Sequence, residues 1–232
     1  MLTRRTSDCA RFGHPEITFH LTRESPIPDI HRVLVDYFEG RVAGGTRFRA
    51  GEGVRLGWAT LLLFDRGDGT LGVKERVIAP DVEWTDSVDR ALRDLWCQRE
   101  INDSVGLLDE LDFPTQDELV MAADCALEAG PVFMVRLDDA SEGFSGWSLT
   151  CPEDHDHGRR SLVPLMAVAA NLPGLVQLLA LPRGVSVLVQ WIAKADMPSG
   201  QLHIEPHVFR EGQVLPARPG SYLAALQAQP SE

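Results

Sequence analysis

From Ser161 to Pro182 the chain reads SLVPLMAVAANLPGLVQLLALP, twenty-two residues without one charged side chain. A single helix of that length would be long enough to cross the hydrocarbon core of a bilayer. Asn171-Leu172-Pro173-Gly174 stands in its middle. Proline removes a helical donor and clashes with the preceding turn, and glycine lowers helix stability. The expectation is therefore two short core helices joined at that break, each about ten residues long and too short to span. A segment this apolar has to be covered, and a chain of 232 residues can build the core that covers it.

The flanking patterns predict an α+β fold of two small modules, each a mainly antiparallel sheet packed with helices. Glu16–Thr22 alternates Ile17, Phe19 and Leu21, the period of a strand. Ile30, Val33, Leu34, Tyr37 and Phe38 then recur at helical spacing toward Gly40 or Gly44-Gly45. Val54–Asp65 and Leu71–Ile78 read as strands joined through an Asp-Gly turn. A helix follows, with Thr85 as its cap, Trp84, Val88, Leu92, Leu95 and Trp96 buried, and Asp86, Asp89, Asp94 and Glu100 outside. Residues 106–116 read as a connection, which gives an N-terminal domain over 1–110 and a C-terminal domain over 111–232. Asp117–Glu128 is helical by pattern. Val132–Leu137, Phe144–Cys151, Val185–Ala193 and Gln201–Arg210 read as strands, and the tail AALQAQPSE is expected to fray.

Charge is unevenly placed. Of the net −12, residues 81–128 carry −11, with 14 acids against 3 bases. Phosphate backbones are bound by basic stripes, so direct nucleic-acid binding is disfavoured, whereas a basic partner would be attracted and steered. Cys9, Cys97, Cys125 and Cys151 are widely spaced, the pattern of reduced thiols in a cytoplasmic setting. The N-terminal stretch has basic residues but no apolar run of the secretory type. Neither membrane attachment nor a cofactor is expected.

Candidate chemistry concentrates in CPEDHDH, residues 151–157. Cys151, His155 and His157 offer three zinc-ligand types, but neighbouring strand residues face opposite ways and the close C-x-x-C spacing is missing. A polar, metal-free turn is the expectation, and a metal-dependent hydrolase using these three residues is the alternative. Gly51, Gly53 and Gly57 lead into a strand rather than a helix, so a phosphate loop fails on context. GFSG lacks the G-x-S-x-G spacing of a nucleophile elbow.

Taken together, FRAGEGVRLGWATLLLF, DGTLGV, WTDSVDRALRDLWCQRE and SGW…C…DHDH followed by LLALPRG resemble bacterial immunity proteins of toxin–immunity pairs. The likeness spans about residues 45–190. It is most specific at Ser145, Gly146, Trp147, Cys151, Asp154, His155, Asp156, His157, Leu179, Ala180, Leu181, Pro182 and Gly184. The resemblance implies a non-enzymatic inhibitor that binds a cognate effector of a type VI or contact-dependent system. Some relatives carry acids directly before SGW, where this chain has Phe144.

An acidic inhibitor suits a basic toxin, such as a nuclease, because carboxylates can cover the Lys and Arg of a phosphate-binding cleft. Asp109, Glu110, Asp112, Asp117, Glu118, Asp138, Asp139 and Glu142 are the candidate partner-binding residues. A general adaptor protein is the remaining alternative.

Overall fold

The strand and helix periods are realised in a computed structural model that describes residues 1–79, 82–128, 130–139, 141–193 and 202–228, the side chains of 191–193, 202 and 203 excepted. The chain divides into two compact units, Met1–Trp96 and Cys97–Glu232. Each is a mixed, mainly antiparallel sheet with helices, an α+β architecture.

In the first unit, β1 (Leu2–Arg5) and β2 (Ile17–Leu21) precede helix α1 (Arg32–Ala43), and β3 (Gly53–Leu56), β4 (Ala59–Asp65), β5 (Leu71–Arg76) and β6 (Trp84–Thr85) follow. The order is β1-β2-β5-β4-β3, with β6 also on β5, and only the β2–β5 pairing is parallel. The alternating Ile17, Phe19 and Leu21 are buried, and Leu34, Phe38 and Val42 of α1 are buried with them. Val54–Asp65 is not one run. Leu56 pairs with Ala59 across a two-residue turn, and Gly57 at φ 58° supplies the left-handed backbone that such a hairpin needs at its first turn position.

Helix α2 (Asp89–Ser104) starts later than the expected Thr85 cap. Thr85 is held in β6 opposite Glu75, and the Glu75 carboxylate accepts from the backbone N–H of Ala91 (2.7 Å) and Arg90 (3.3 Å) in the first turn. Asp94, expected on the outer face, is 8% exposed and accepts from Trp58 Nε1 at 3.4 Å. Burial raises the carboxyl pKa of both acids, and that of Glu75 to about 7.

The second unit holds the end of α2 and strands β7 (Leu119–Ala123), β8 (Val132–Arg136), β9 (Phe144–Thr150) and β10 (Arg160–Pro164). Helix α3 (Leu165–Asn171), β11 (Val185–Ala193), β12 (Leu202–Arg210), β13 (Gln213–Val214) and α4 (Tyr222–Gln227) complete it. The sheet runs β10-β7-β9-β8-β11-β12-β13, parallel only between β7 and β9. The helix expected over Asp117–Glu128 is instead β7 followed by a 3-10 turn over Asp124–Ala126. β10 and β9 pair with both edges of Leu119–Ala123, and this pairing overrides the helical tendency of its Met and Ala residues.

The uncharged segment also divides differently from the expectation. Ser161–Pro164 belongs to edge strand β10, α3 follows Pro164, and a 3-10 segment over Pro173–Leu178 begins at the expected proline break. No described helix is long and apolar enough to cross a membrane. Nor does all of the tail fray: the Ser221 side chain caps α4, and buried Leu223 donates its N–H to Ser104 Oγ at 3.2 Å. The last four residues, together with Gln201, lie outside the described residues.

Glu75 makes the fold pH-dependent. Its folded pKa of about 7 lies above the ordinary 4.5, so the folded state binds the proton more tightly. Its contribution is complete at low pH and is lost as pH rises through 7. At about 1.4 kcal/mol per pKa unit, the loss is about 3 kcal/mol. Urea unfolding across this range should show Glu75→Gln gaining stability relative to wild type as pH rises. A constant difference between the two proteins would contradict the assignment.

Candidate partner-binding site

Arg136, at the end of β8, is 1% exposed, which is unusual for a guanidinium. Burial lowers its pKa to about 10, and Asp112 opposes that shift. The group donates to the carbonyl oxygens of Asp112 (2.6 Å), Leu179 (3.2 Å) and Leu181, and forms an ion pair with the Asp112 carboxylate at 2.9 Å. It also lies 5.5 Å from the ring of fully buried Trp147, whose Nε1 donates to Leu179 O at 3.0 Å. The Trp of SGW and the LALP turn are thus joined through one carbonyl. Gly184 completes the turn at φ 76°, where an added Cβ would lie 3.2 Å from Asp138 Oδ1.

This node borders an open cleft of about 760 Å³ in the second unit. Leu119, Met121, Phe144 and Leu162 provide its apolar lining, while Asp138, Asp139, Glu142 and Arg183 provide charge. Leu162, on edge strand β10, is 57% exposed, and Leu119, Met121 and Phe144 are half-buried. Arg183 is turned toward acceptors of its own unit, 3.4 Å from Asp112 Oδ2 and 3.1 Å from Asp138 O. Asp138, Asp139 and Glu142 are exposed.

The other five candidate acids also belong to the second unit but are placed differently. Asp112 is held by Arg136 and Arg183. Glu110 receives both Arg210 terminal nitrogens, at 3.0 and 2.7 Å, and this pairing lowers its pKa. Asp109 and Asp117 are exposed, and Glu118 is half-buried with its carbonyl accepting from Leu165 N. The second unit carries 19 acids against 8 bases, net −11, whereas the first is nearly balanced at 15 against 14.

The CPEDHDH turn is reshaped by a residue the sequence pattern did not bring in. Cys125 joins Cys151, His155 and His157, and one donor atom from each lies within 4.8 Å of all the others. Cys151 Sγ is 2.8 Å from His155 Nε2 and 3.4 Å from His157 Nδ1, and Cys125 Sγ is 3.5 Å from the same Nδ1. The parallel β7–β9 pairing explains the meeting. Register Ala122↔Leu149 brings the ends of both strands together, and the loop from β9 to β10 crosses the end of β7. Asp124 N donates to Arg159 O at 3.1 Å and ties that loop down. The thiol pKa of Cys151 is raised by desolvation, with Cys125 adding to the shift.

Trp147, the two histidines and the LALP turn therefore belong to one folding unit, and comparison with known families addresses that unit. Residues 97–197 match the Imm33-like domain. The match begins where the second unit begins and covers less than half of the chain. It points to a protein of the immunity type, with a toxin partner and a non-enzymatic role as its general implications. The Imm33-like region holds the Arg136 node, the acidic cleft and the Cys/His cluster. The resembling stretches between residues 45 and 96 fall outside it. No curated protein and no solved structure matches the chain.

Asp112→Asn should destabilise the second unit by about 3 kcal/mol, because a buried cation loses its counter-charge. Arg136→Lys should fail as a conservative replacement, since one ammonium cannot serve at once the three carbonyls around Nη1 and the Asp112 carboxylate at Nη2. Unfolding midpoints equal to wild type for both variants would remove Arg136 from its structural role.

Proposed function

We propose that this protein is an immunity protein that neutralises a cognate bacterial toxin by binding it through the acidic cleft of the Imm33-like region. The match over residues 97–197 is the observation that carries the functional class. The cleft supplies the surface: exposed Leu162 and half-buried Leu119, Met121 and Phe144 beside three carboxylates, in the unit that holds net −11. Apolar contact can give affinity there, while the surrounding charge selects and accelerates a basic partner.

The favoured partner is a basic toxin domain, with a nuclease as the chemical class best suited to carboxylates that take the place of phosphates. Asp138, Asp139 and Glu142 are assigned direct contact. Asp109, Asp117 and Glu118 strengthen the field, and Glu110 and Asp112 act mainly within their own unit through Arg210, Arg136 and Arg183. Charge repulsion against the wrong partners would accompany attraction to the right one.

The decisive test uses the toxin encoded beside this chain in its source genome. Wild-type protein should protect cells expressing that toxin and form a stable complex with it. Asp138→Lys/Asp139→Lys/Glu142→Lys should retain the fold, lose protection, and slow association about tenfold or more at low salt. The slowing should shrink as salt screens the charges. Asp109→Lys/Asp117→Lys/Glu118→Lys should slow association less and leave protection in place. Equal association by the cleft triple variant and wild type would place the interface elsewhere.

A further inference from the structure

We propose that Cys125, Cys151, His155 and His157 form a zinc-binding site that fixes the β9–β10 loop of the Imm33-like region. Four donors of the right chemical kind converge on one point: two thiols and two imidazoles. A tetrahedral zinc with bonds of about 2.3 Å to sulfur and about 2.0–2.1 Å to nitrogen places neighbouring sulfur and nitrogen roughly 3.5 Å apart. Cys125–His157 at 3.5 Å and Cys151–His157 at 3.4 Å have that spacing, and Cys151–His155 at 2.8 Å must open modestly to admit the ion. Mixed thiolate and imidazole donors select zinc over the hard cations magnesium and calcium.

The loop itself supplies the second argument. Pro152 to Asp156 are all exposed, so burial contributes little to anchoring the segment that carries His155. Backbone pairing holds its far end, through Asp124 N to Arg159 O, and Asp156 Oδ1 accepts from Gly158 N at 3.0 Å. Yet the two imidazoles meet edge to face at 4.9 Å, immediately beside both sulfurs. A bound cation gives this exposed turn a reason to gather there.

Binding releases the two thiol protons and uses both imidazoles as neutral ligands, so the two thiolates balance the charge of Zn²⁺. Four protein ligands close a tetrahedral shell and leave no position for water. That arrangement suits a structural ion and argues against a hydrolase built on the same histidines. The toxin-binding proposal does not depend on it.

The test starts with chelator-stripped, reduced protein titrated with Co²⁺ and then with Zn²⁺. The expected result is the intense visible absorption of tetrahedral cobalt with a thiolate charge-transfer band, displaced by one equivalent of zinc. Chelator treatment of the loaded protein should lower the melting temperature. Cys125→Ser and His155→Gln should each weaken binding by more than about 100-fold, beyond the range for residues that only support a ligand. His207→Gln should leave binding unchanged. Far-UV circular dichroism checks that the variants fold, and the wild-type cobalt spectrum decides the matter alone if they do not. A weak octahedral cobalt spectrum, equal affinity in folded Cys125→Ser, or a Cys125–Cys151 disulfide in protein isolated from cells would each overturn the proposal.

Discussion

A single buried guanidinium organises the Imm33-like region. Arg136 has 1% of its side chain in contact with solvent and binds three backbone carbonyls besides the Asp112 carboxylate. An unpaired cation in that position would carry a desolvation penalty of several kcal/mol, so its partners must all be in place together. Two of those carbonyls belong to the turn after the 3-10 segment, and Trp147 shares one of them. The turn leads directly into β11, and β11 pairs with β8, the strand that carries Arg136. The interaction therefore closes a loop from β8 through the turn and back to the same sheet. The cleft proposed to meet the toxin lies alongside it, lined by Arg183 and Asp138.

This arrangement separates residues that build the site from residues that present it. SGW and LALP are joined by a hydrogen bond inside the unit, from Trp147 Nε1 to Leu179 O, so that part of the pattern has a folding role. The acids differ in the same way. Asp112 and Glu110 stand close to cations of their own unit, whereas Asp138, Asp139 and Glu142 face outward at the cleft. Net charge by itself would treat all five alike.

Much of the architecture was legible in the sequence because period-2 and helical patterns are local. Ile17, Phe19 and Leu21 marked β2, and Phe144–Cys151 marked β9 within one residue. Pro173 located the break in the uncharged segment. The failures were non-local. Asp117–Glu128 has a helical pattern in isolation, and only its two neighbouring strands make Leu119–Ala123 extended. That one error also hid the chemistry, because Cys125 meets Cys151 only when β7 and β9 run parallel. A separation of twenty-six residues between the two cysteines carries no ligand motif that could have signalled it. Arg136 was missed for a related reason: an arginine at the end of a strand reads as solvent-facing until the turn that covers it is known.

The central claim is that the toxin is met by the acidic cleft of the second unit. Hydrogen–deuterium exchange on the complex with the neighbouring toxin tests it most directly, since protection reports contact without altering a residue. The account predicts new protection over residues 119–121, 138–139, 141–144 and 160–164, the backbone segments that carry the cleft's lining. Protection confined to Met1–Trp96, with those segments exchanging as in the free protein, would contradict it.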